Sequence, residues 1–350
     1  MVTVLVTGGA GFIGSHACVE LLARGHDVVV VDNYANSSPA ALARLQEVAG
    51  RDVRGAHRVD LRDRAALAGI FKRYDIDAVM HFAAMKAVGE SMRIPLDYYD
   101  NNIGGTTSLL RAMGEHDVHR MVFSSSCSIY GDAETVPIAE DAPAQPANPY
   151  ARSKWLCEQI LADACLRRPD LRVIALRYFN PIGAHDSGLL GEAPRGVPHN
   201  VMPYLMRVAS GRLDRLTVYG DDYPTPDGTA VRDYVHVMDV VEAHRLALDR
   251  IDGYAGMRAF NLGTGVGTSV LELARAVGAA CGQAVPYAIA ARRSGDVATL
   301  VADPGSIARE WGWRATRDLA AMCRDAWRFQ QHHPDGYVAP AGPSRRATVA

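Results

Sequence analysis

Near the start of the chain, Gly8-Gly9-Ala10-Gly11-Phe12-Ile13-Gly14 joins an apolar, β-rich run at 2–7 to a helical pattern. That pattern (Phe12, Ile13, Ala17, Leu21, Leu22) closes at Gly25. A second apolar run, Asp27-Val-Val-Val-Val-Asp32, follows at once. Continuous apolar runs of this length read as strands buried on both faces. Together they make a βαβ unit with Gly8-x-x-Gly11-x-x-Gly14 in its first turn and an acid closing the second strand. Strand, glycine triplet, helix, strand and acid in that order form a dinucleotide-binding pattern. The glycines let the backbone approach a pyrophosphate at the helix N-terminus, where unpaired N–H groups and the dipole favour anions. Asp32 suits ribose hydroxyls and repels a 2′-phosphate, which favours NAD over NADP.

The alternation continues. Helices are expected at 38–49 and 63–73, strands at 53–59 and 77–82, a long helix at 95–115 and a strand at 119–124 ending in three serines. One more strand follows at 171–177. Strands and helices alternating through short turns predict an α/β fold, a Rossmann-like doubly wound parallel sheet, over residues 1–180. Asp32, Asp60, Lys86 and the serines all follow strand C-terminal ends, where ligands bind in such sheets. After about Asn180 glycines and prolines multiply and strands shorten, as in Leu216–Tyr219, Val235-His236-Val237 and Ala259-Phe260-Asn261-Leu262. Helices recur near 199–210, 238–251, 269–281 and 318–333. Residues 181–337 therefore read as a smaller α/β domain capping the sheet edge, with the chain free to cross between the two and the cleft between them. The Ala-, Pro- and Gly-rich end from Pro334, and residues 338–350 as its own segment, reads as a mobile tail.

At 350 residues, 48% hydrophobic and 22% charged, the chain can bury a large core as an ordinary soluble protein. A net charge of -2 without a basic cluster points to no nucleic-acid and no membrane partner. Six cysteines never approach a C-x-x-C spacing and read as reduced core thiols. The N-terminal strand lacks signal-peptide features and no apolar run has transmembrane length, so the cytoplasm is expected. His16 and His81 read as satisfied core histidines; with no acidic cluster near them, no metal site is expected.

Asn148-Pro149-Tyr150-Ala151-Arg152-Ser153-Lys154 carries the chemistry. Asn148 is a good N-cap and Pro149 fits the first helical position. Tyr150 and Lys154 then stand one turn apart on a face that continues through Cys157, Leu161, Ala164 and Cys165, an apolar stripe that points inward. A nearby cation stabilises phenolate, helped by the positive end of the helix dipole. Bringing a tyrosine from about 10 to near neutrality takes roughly 4 kcal/mol, more than one lysine supplies, so a bound cationic ring is called for as well.

With these residues assembled, the chain resembles the extended short-chain dehydrogenase/reductase family, in particular its branch acting at C4 of UDP-hexoses. The resemblance runs from Val2 to about Tyr337 and rests on long strings. They include Val-Thr-Gly-Gly-Ala-Gly-Phe-Ile-Gly-Ser-His, Phe-Ala-Ala-Met-Lys-Ala-Val-Gly-Glu-Ser, Arg-Tyr-Phe-Asn-Pro-Ile-Gly-Ala-His and Asp-Tyr-Pro-Thr-Pro-Asp-Gly-Thr-Ala-Val-Arg-Asp-Tyr-Val-His-Val. The resemblance implies that Tyr150 is the base, that Lys154 supports it and holds the nicotinamide ribose, and that Ser126 bridges substrate and tyrosine. Ser126 lies four residues before Tyr130-Gly131, as the family's hydroxyl does. Gly8, Gly11, Phe12, Ile13, Gly14, Asp32, Asn33, Asn36 and Ser37 are implied cofactor contacts. So are Asp60 and Leu61 about the adenine, Phe82, Ala83, Ala84 and Lys86 on the phosphate and ribose side, and Asn101, Tyr178 and Phe179. For a UDP-sugar the implied contacts are Lys86, Ser126, Tyr150, Asn180, Asn200, Val201, Thr217, Val218, Tyr219, Arg232, Arg293, Asp296 and Leu300. Read alone, Asn101 is also a helix-turn cap, Asp60 a turn residue, and Arg232 one half of a surface ion pair with Asp233.

The implied reaction interconverts UDP-galactose and UDP-glucose: oxidation at C4 onto tightly held NAD, turnover of the 4-ketosugar, and hydride return to its other face. The resemblance also implies a homodimer. A dehydratase needs an Asp-Glu pair after the catalytic hydroxyl, whereas Ser126 is followed by Cys127-Ser128. A dinucleotide sensor without chemistry is disfavoured by the intact Ser126, Tyr150 and Lys154. A 4-epimerase for N-acetylated sugars is the nearer rival. In the family the position of Leu300 gates the sugar pocket, tyrosine going with plain hexoses and a small residue with N-acetyl sugars. Leu300 is neither, which predicts some activity on the N-acetylhexosamine pair beside the main one. Read from the sequence alone, Leu300 is core packing on a strand.

Overall fold

The computed structural model describes residues 1–293 and 295–337; the tail expected over 338–350 lies outside the described residues. Strand β1 (Thr3–Thr7) runs into α1 (Phe12–Ala23), and β2 (Asp27–Asp32) returns beside it. Then come α2 (Ala40–Ala49), β3 (Gly55–Arg58), α3 (Arg64–Arg73) and β4 (Ala78–His81). Short helices α4 (Val88–Ser91) and α5 (Pro95–Tyr99) lead through a π turn, Asp100–Gly104, into α6 (Gly105–Glu115). Strand β5 (Arg120–Ser126), α7 (Pro149–Arg167) and β6 (Arg172–Tyr178) follow. The long helix expected at 95–115 is found, helical throughout, but it widens by a π turn at 100–104. At the π turn Asn102 is drawn inward, where its amide accepts from the Met85 N–H at 2.8 Å and donates to the Met85 carbonyl and Ser153 Oγ. Such one-turn widenings in a helix recur at functional sites.

The rest of the chain comprises β7 (Asn180–Ile182), α8 (Val201–Ala209), β8 (Leu216–Tyr219), β9 (Val231–His236), α9 (Val237–Arg250) and β10 (Gly256–Leu262). It ends with β11 (Gly267–Ser269), α10 (Val270–Cys281), β12 (Tyr287–Ala290), β13 (Thr299–Leu300), α11 (Gly305–Trp311) and α12 (Leu319–His332). Seven strands form one sheet in the order β10-β6-β5-β4-β1-β2-β3, every pair parallel. The order reverses between β1 and β4, which opens a crevice beyond their C-terminal ends.

Period-two alternation decides which side each residue feeds. Val4 and Val6 of β1 join a core with α1 and α9, whereas Leu5 joins one with α3, α6 and α7. One expectation fails here: the sequence places Ala259 to Leu262 as a short strand of the smaller domain, yet β10 completes the large sheet beside β6. Burial explains it, since Phe260 and Leu262 have no exposed surface and Trp311 of α11 packs on the Phe260 ring, centroids 4.4 Å apart. The remaining small strands, β7, β9, β11 and β13, pair with one another, and β8 pairs β12. Helices α8, α10 and α12 bury a third core against them. A tail loosening from Pro334 is not what is found, because the Tyr337 hydroxyl bonds both the N–H and the carbonyl of Gly191.

Candidate active site

The glycine turn sits in the crevice between β1 and β4. Gly8 has φ +71°, and a Cβ there would lie 2.7 Å from the Ala83 nitrogen. On Gly14 a Cβ would lie 2.3 Å from the Gly8 carbonyl oxygen. Gly11 is the N-cap of α1 and puts no side chain in front of its free N–H groups. That bare, concave helix start fits a pyrophosphate, with Phe12 and Ile13 supplying the first helical N–H groups. Asp32 is buried; its carboxylate accepts from the Ala10 N–H at 3.0 Å, the Tyr34 N–H at 2.8 Å and Ser37 Oγ at 2.8 Å, which fixes its direction. Ser37 therefore positions Asp32. Asn36 accepts from the Arg195 N–H and Asn33 donates to Asp60. Asp60 is more than a turn residue: Arg62 beside it holds its carboxyl well below the usual carboxylate range. Leu61 is buried against the α6 side of the sheet.

Helix α7 begins as the sequence predicts. The Asn148 side chain accepts from the Ala151 N–H at 2.9 Å, Pro149 takes the first turn, and Cys157, Leu161 and Cys165 are buried. Tyr150 and Lys154 are thereby brought over the end of β5, where Ser126 stands. Lys154 Nζ donates to the Ser124 carbonyl at 2.7 Å and lies 4.9 Å from the Phe123 ring centre. Burial lowers this ammonium to about 8, against the pull of Cys157 and Glu158. Burial pushes the Tyr150 phenol up to about 12, with the Ser126 hydroxyl beside it pulling the other way. Burial thus keeps the phenol protonated in the protein alone, in line with the expectation that one lysine does not suffice and that a bound cationic ring is needed as well. Ser126 Oγ accepts from Ser128, both N–H and hydroxyl, at 3.2 and 2.9 Å.

On the far side of the cleft, Asn180 Oδ1 is buried without a hydrogen-bond partner. A buried orphan acceptor is costly, and it fits a donor brought by a ligand. The ion pair between Arg232 and Asp233 is absent. Asp233 is buried and accepts from Thr264, Gly265 and Ala302, while Arg232 rests on the carbonyls of Val231 and Ala298. Among the described residues no carboxylate lies within ion-pair distance of Arg232. Arg293, by contrast, pairs with Asp296 at 2.9 Å and covers the Tyr219 ring, on the strand that also carries Thr217 and Val218. Asn200 is the N-cap residue of α8, which starts at Val201. Leu300 is buried with Cys127, Ile129 and Phe179. Tyr178 is buried too, its hydroxyl 2.6 Å from His244 Nε2, and Phe82 packs on the same imidazole. Ala84 is half-buried in the loop after β4.

His81 is satisfied as expected, bonded to Thr7 and Thr106 hydroxyls. His16 is only half so: Nδ1 meets the Phe12 carbonyl, while Nε2 is buried unpaired. Three contributors escaped the sequence reading. Asn102 ties the loop after β4 to α7, and Asn101 donates to it. Glu158, one turn beyond Lys154, is 1% exposed in a two-pronged pair with Arg177, at 3.0 and 2.7 Å. Glu192 takes both Lys86 and Asn200. Only the spacing of Glu158 from Lys154 was visible in the sequence.

A nucleotide cradle at the switch point, with a Tyr-x-x-x-Lys helix and a serine at its mouth, defines a dinucleotide-dependent sugar-modifying class. The chain belongs to the NAD dependent epimerase/dehydratase family, whose model matches residues 4–263. Within that class it is 52% identical over 334 residues to a UDP-glucose 4-epimerase of Bacillus subtilis, covering 95% of this chain and 98% of that one. The structure of the UDP-glucose 4-epimerase from Bifidobacterium longum, in complex with NAD+ and UDP, superposes with a TM-score of 0.93 at 48% identity, covering 95% and 99%. A UDP-Glc/GlcNAc 4-epimerase from Campylobacter jejuni is similar at 35% identity and a TM-score of 0.81, covering 95% and 100%. Among the described residues no helix is long and apolar enough to cross a membrane, and no cluster of His, Cys, Asp and Glu fits a metal.

Proposed function

We infer that this chain is an NAD-dependent isomerase that interconverts UDP-galactose and UDP-glucose. The observation that carries the reading is the meeting of Ser126, Tyr150 and Lys154 beside the glycine cradle, facing an orphan Asn180 acceptor and an Arg232 without a carboxylate. When bound, NAD accepts and returns the sugar's C4 hydride, and its cationic ring favours phenolate. Gly8, Gly11 and Gly14 would hold the pyrophosphate, Asp32 the adenosine ribose, and Lys154 the nicotinamide ribose. Tyr150 takes the proton of the sugar's 4-hydroxyl and gives it back to the C4 oxygen when hydride returns to the opposite face of C4, with Ser126 sharing the hydrogen bond. Arg232 and Arg293 grip the diphosphate, since guanidinium groups chelate phosphate oxygens. The sugar is left without a comparable anchor, which the turnover of the ketosugar requires. Leu300 packs in the core with Phe179, so no observation favours the N-acetyl reading over the plain hexose pair.

Exposed Leu96, Leu156 and Leu166 on α5 and α7 support the homodimer. Six free cysteines suit a reducing cytoplasm. The test of the reading is Tyr150→Phe, which removes the proton acceptor and little volume. Turnover of UDP-galactose should fall by more than about a hundredfold, the usual weight of a general base, while UDP affinity stays within a few-fold. Retention of a tenth of the rate would overturn the assignment.

A further inference from the structure

Glu192 lies between Lys86 and Asn200, two residues that the family resemblance implies as UDP-sugar contacts, and this inference rests on the proposed function. Lys86 comes from the loop after β4, on the nucleotide side of the cleft, and Asn200 from the start of α8, on the other. One oxygen of Glu192, Oε1, accepts from Lys86 Nζ at 2.8 Å and from Asn200 Nδ2 at 2.8 Å. The Glu192 side chain is 9% exposed, against 41% for Lys86. Its loop is fastened on both sides. Gly191 is bonded twice to the Tyr337 hydroxyl, and the Arg195 N–H donates to Asn36. Arg207 holds the carbonyls of Pro194 and Gly196. This carboxylate is therefore a fixed charge in the cleft wall, and it cancels that of Lys86.

We propose that Glu192 determines specificity by excluding nucleoside diphosphate hexuronates, sugars that carry a carboxylate at C6. A neutral hexose meets a Lys86–Glu192 pair of no net charge and can bond to either partner. A hexuronate brings a second anion beside a carboxylate that cannot swing away and whose cation is already engaged. Entry orientation offers no escape. Returning hydride to the opposite face requires the ring to turn about its C1–C4 axis, which exchanges the C2–C3 edge with the C5–O5 edge and carries C6 across with C5. A C6 carboxylate is thus carried through both halves of the pocket within one cycle.

The test uses the full chain with its NAD and compares UDP-glucose with UDP-glucuronate, by calorimetric affinity and by epimerisation rate. Glu192→Gln keeps an acceptor for Lys86 and Asn200 but removes the charge. It should raise the affinity ratio of uronate to hexose at least tenfold, with measurable uronate turnover. Glu192→Asp should leave the ratio within threefold of the wild type. Lys86→Met, which uncovers the Glu192 charge, should lower the ratio, and this variant carries the test should Glu192→Gln fail to fold. Parallel losses on both sugars with an unchanged ratio would overturn the inference and make Glu192 a structural brace. A wild type that does not turn over UDP-galactose would overturn the epimerase reading itself, and this inference with it.

Discussion

Arg232 shows what a single residue gains from its neighbours' commitments. The adjacent carboxylate, Asp233, is enclosed by four donors of the chain, so the guanidinium keeps its charge for another partner. Replacing Arg232 by Ala should weaken UDP binding by about 2 kcal/mol or more, the loss of a charge-assisted bond to a charged partner. Calorimetric titration with UDP measures this, and unchanged affinity would return Arg232 to a structural role. Tyr150, Lys154 and the glycines were legible because their meaning lies in spacings of three and four residues. Glu192 and Asn102 were not, because their partners lie across the chain, as with Lys86 for Glu192 and Met85 and Ser153 for Asn102. The Lys154 acceptor was hidden for another reason: it is a backbone carbonyl, that of Ser124, and sequence carries no mark of it.

Helix α7 is the element on which the chemistry hangs. Its start was readable from Asn148 and Pro149, and its buried stripe from the 3.6-residue period. What pins its middle was not. Glu158 binds Arg177 of β6 and receives the Ser125 hydroxyl at 2.5 Å, while Arg177 also reaches Tyr130 and the Glu140 carbonyl. Both charges are buried, at 1% and 9% side-chain exposure, so neither is worth much unless paired. Glu158→Ala leaves Arg177 without a counter-charge and should cost about 3–5 kcal/mol of folding stability, read from urea denaturation. A loss under about 1 kcal/mol would show that the pair does not secure the helix. The π turn at Asp100–Gly104 was equally invisible, since Asp-Asn-Asn-Ile-Gly continues a helical pattern and only the inward pull on Asn102 widens it.

At the scale of the whole molecule, the parallel sheet and its switch point followed from alternating runs, whereas the return of β10 to the sheet edge did not. Short apolar strands carry no address, and burial of Phe260 under Trp311 of α11 supplies it. The same dense packing encloses three histidines whose folded pKa values lie below 6.5: His16 and His81 at about 3 and His244 at about 4, each through burial. Above about pH 6.5 neither folded nor unfolded chain protonates them, and they leave stability unchanged. As pH falls from 6.5 toward 4 the unfolded chain binds protons the folded one refuses, and each costs up to about 1.4 kcal/mol per unit. Urea midpoints should hold near pH 7 to 8 and drop steadily below 6.5; a flat response from 7 to 5 would contradict this. The central claim, C4 epimerisation with NAD recycled in place, is met most directly by incubating purified protein with UDP-galactose, adding no dinucleotide, and following the anomeric protons by NMR. The account predicts steady conversion to a mixture of UDP-galactose and UDP-glucose. UDP-galactose left unchanged, with or without NAD supplied, would contradict it.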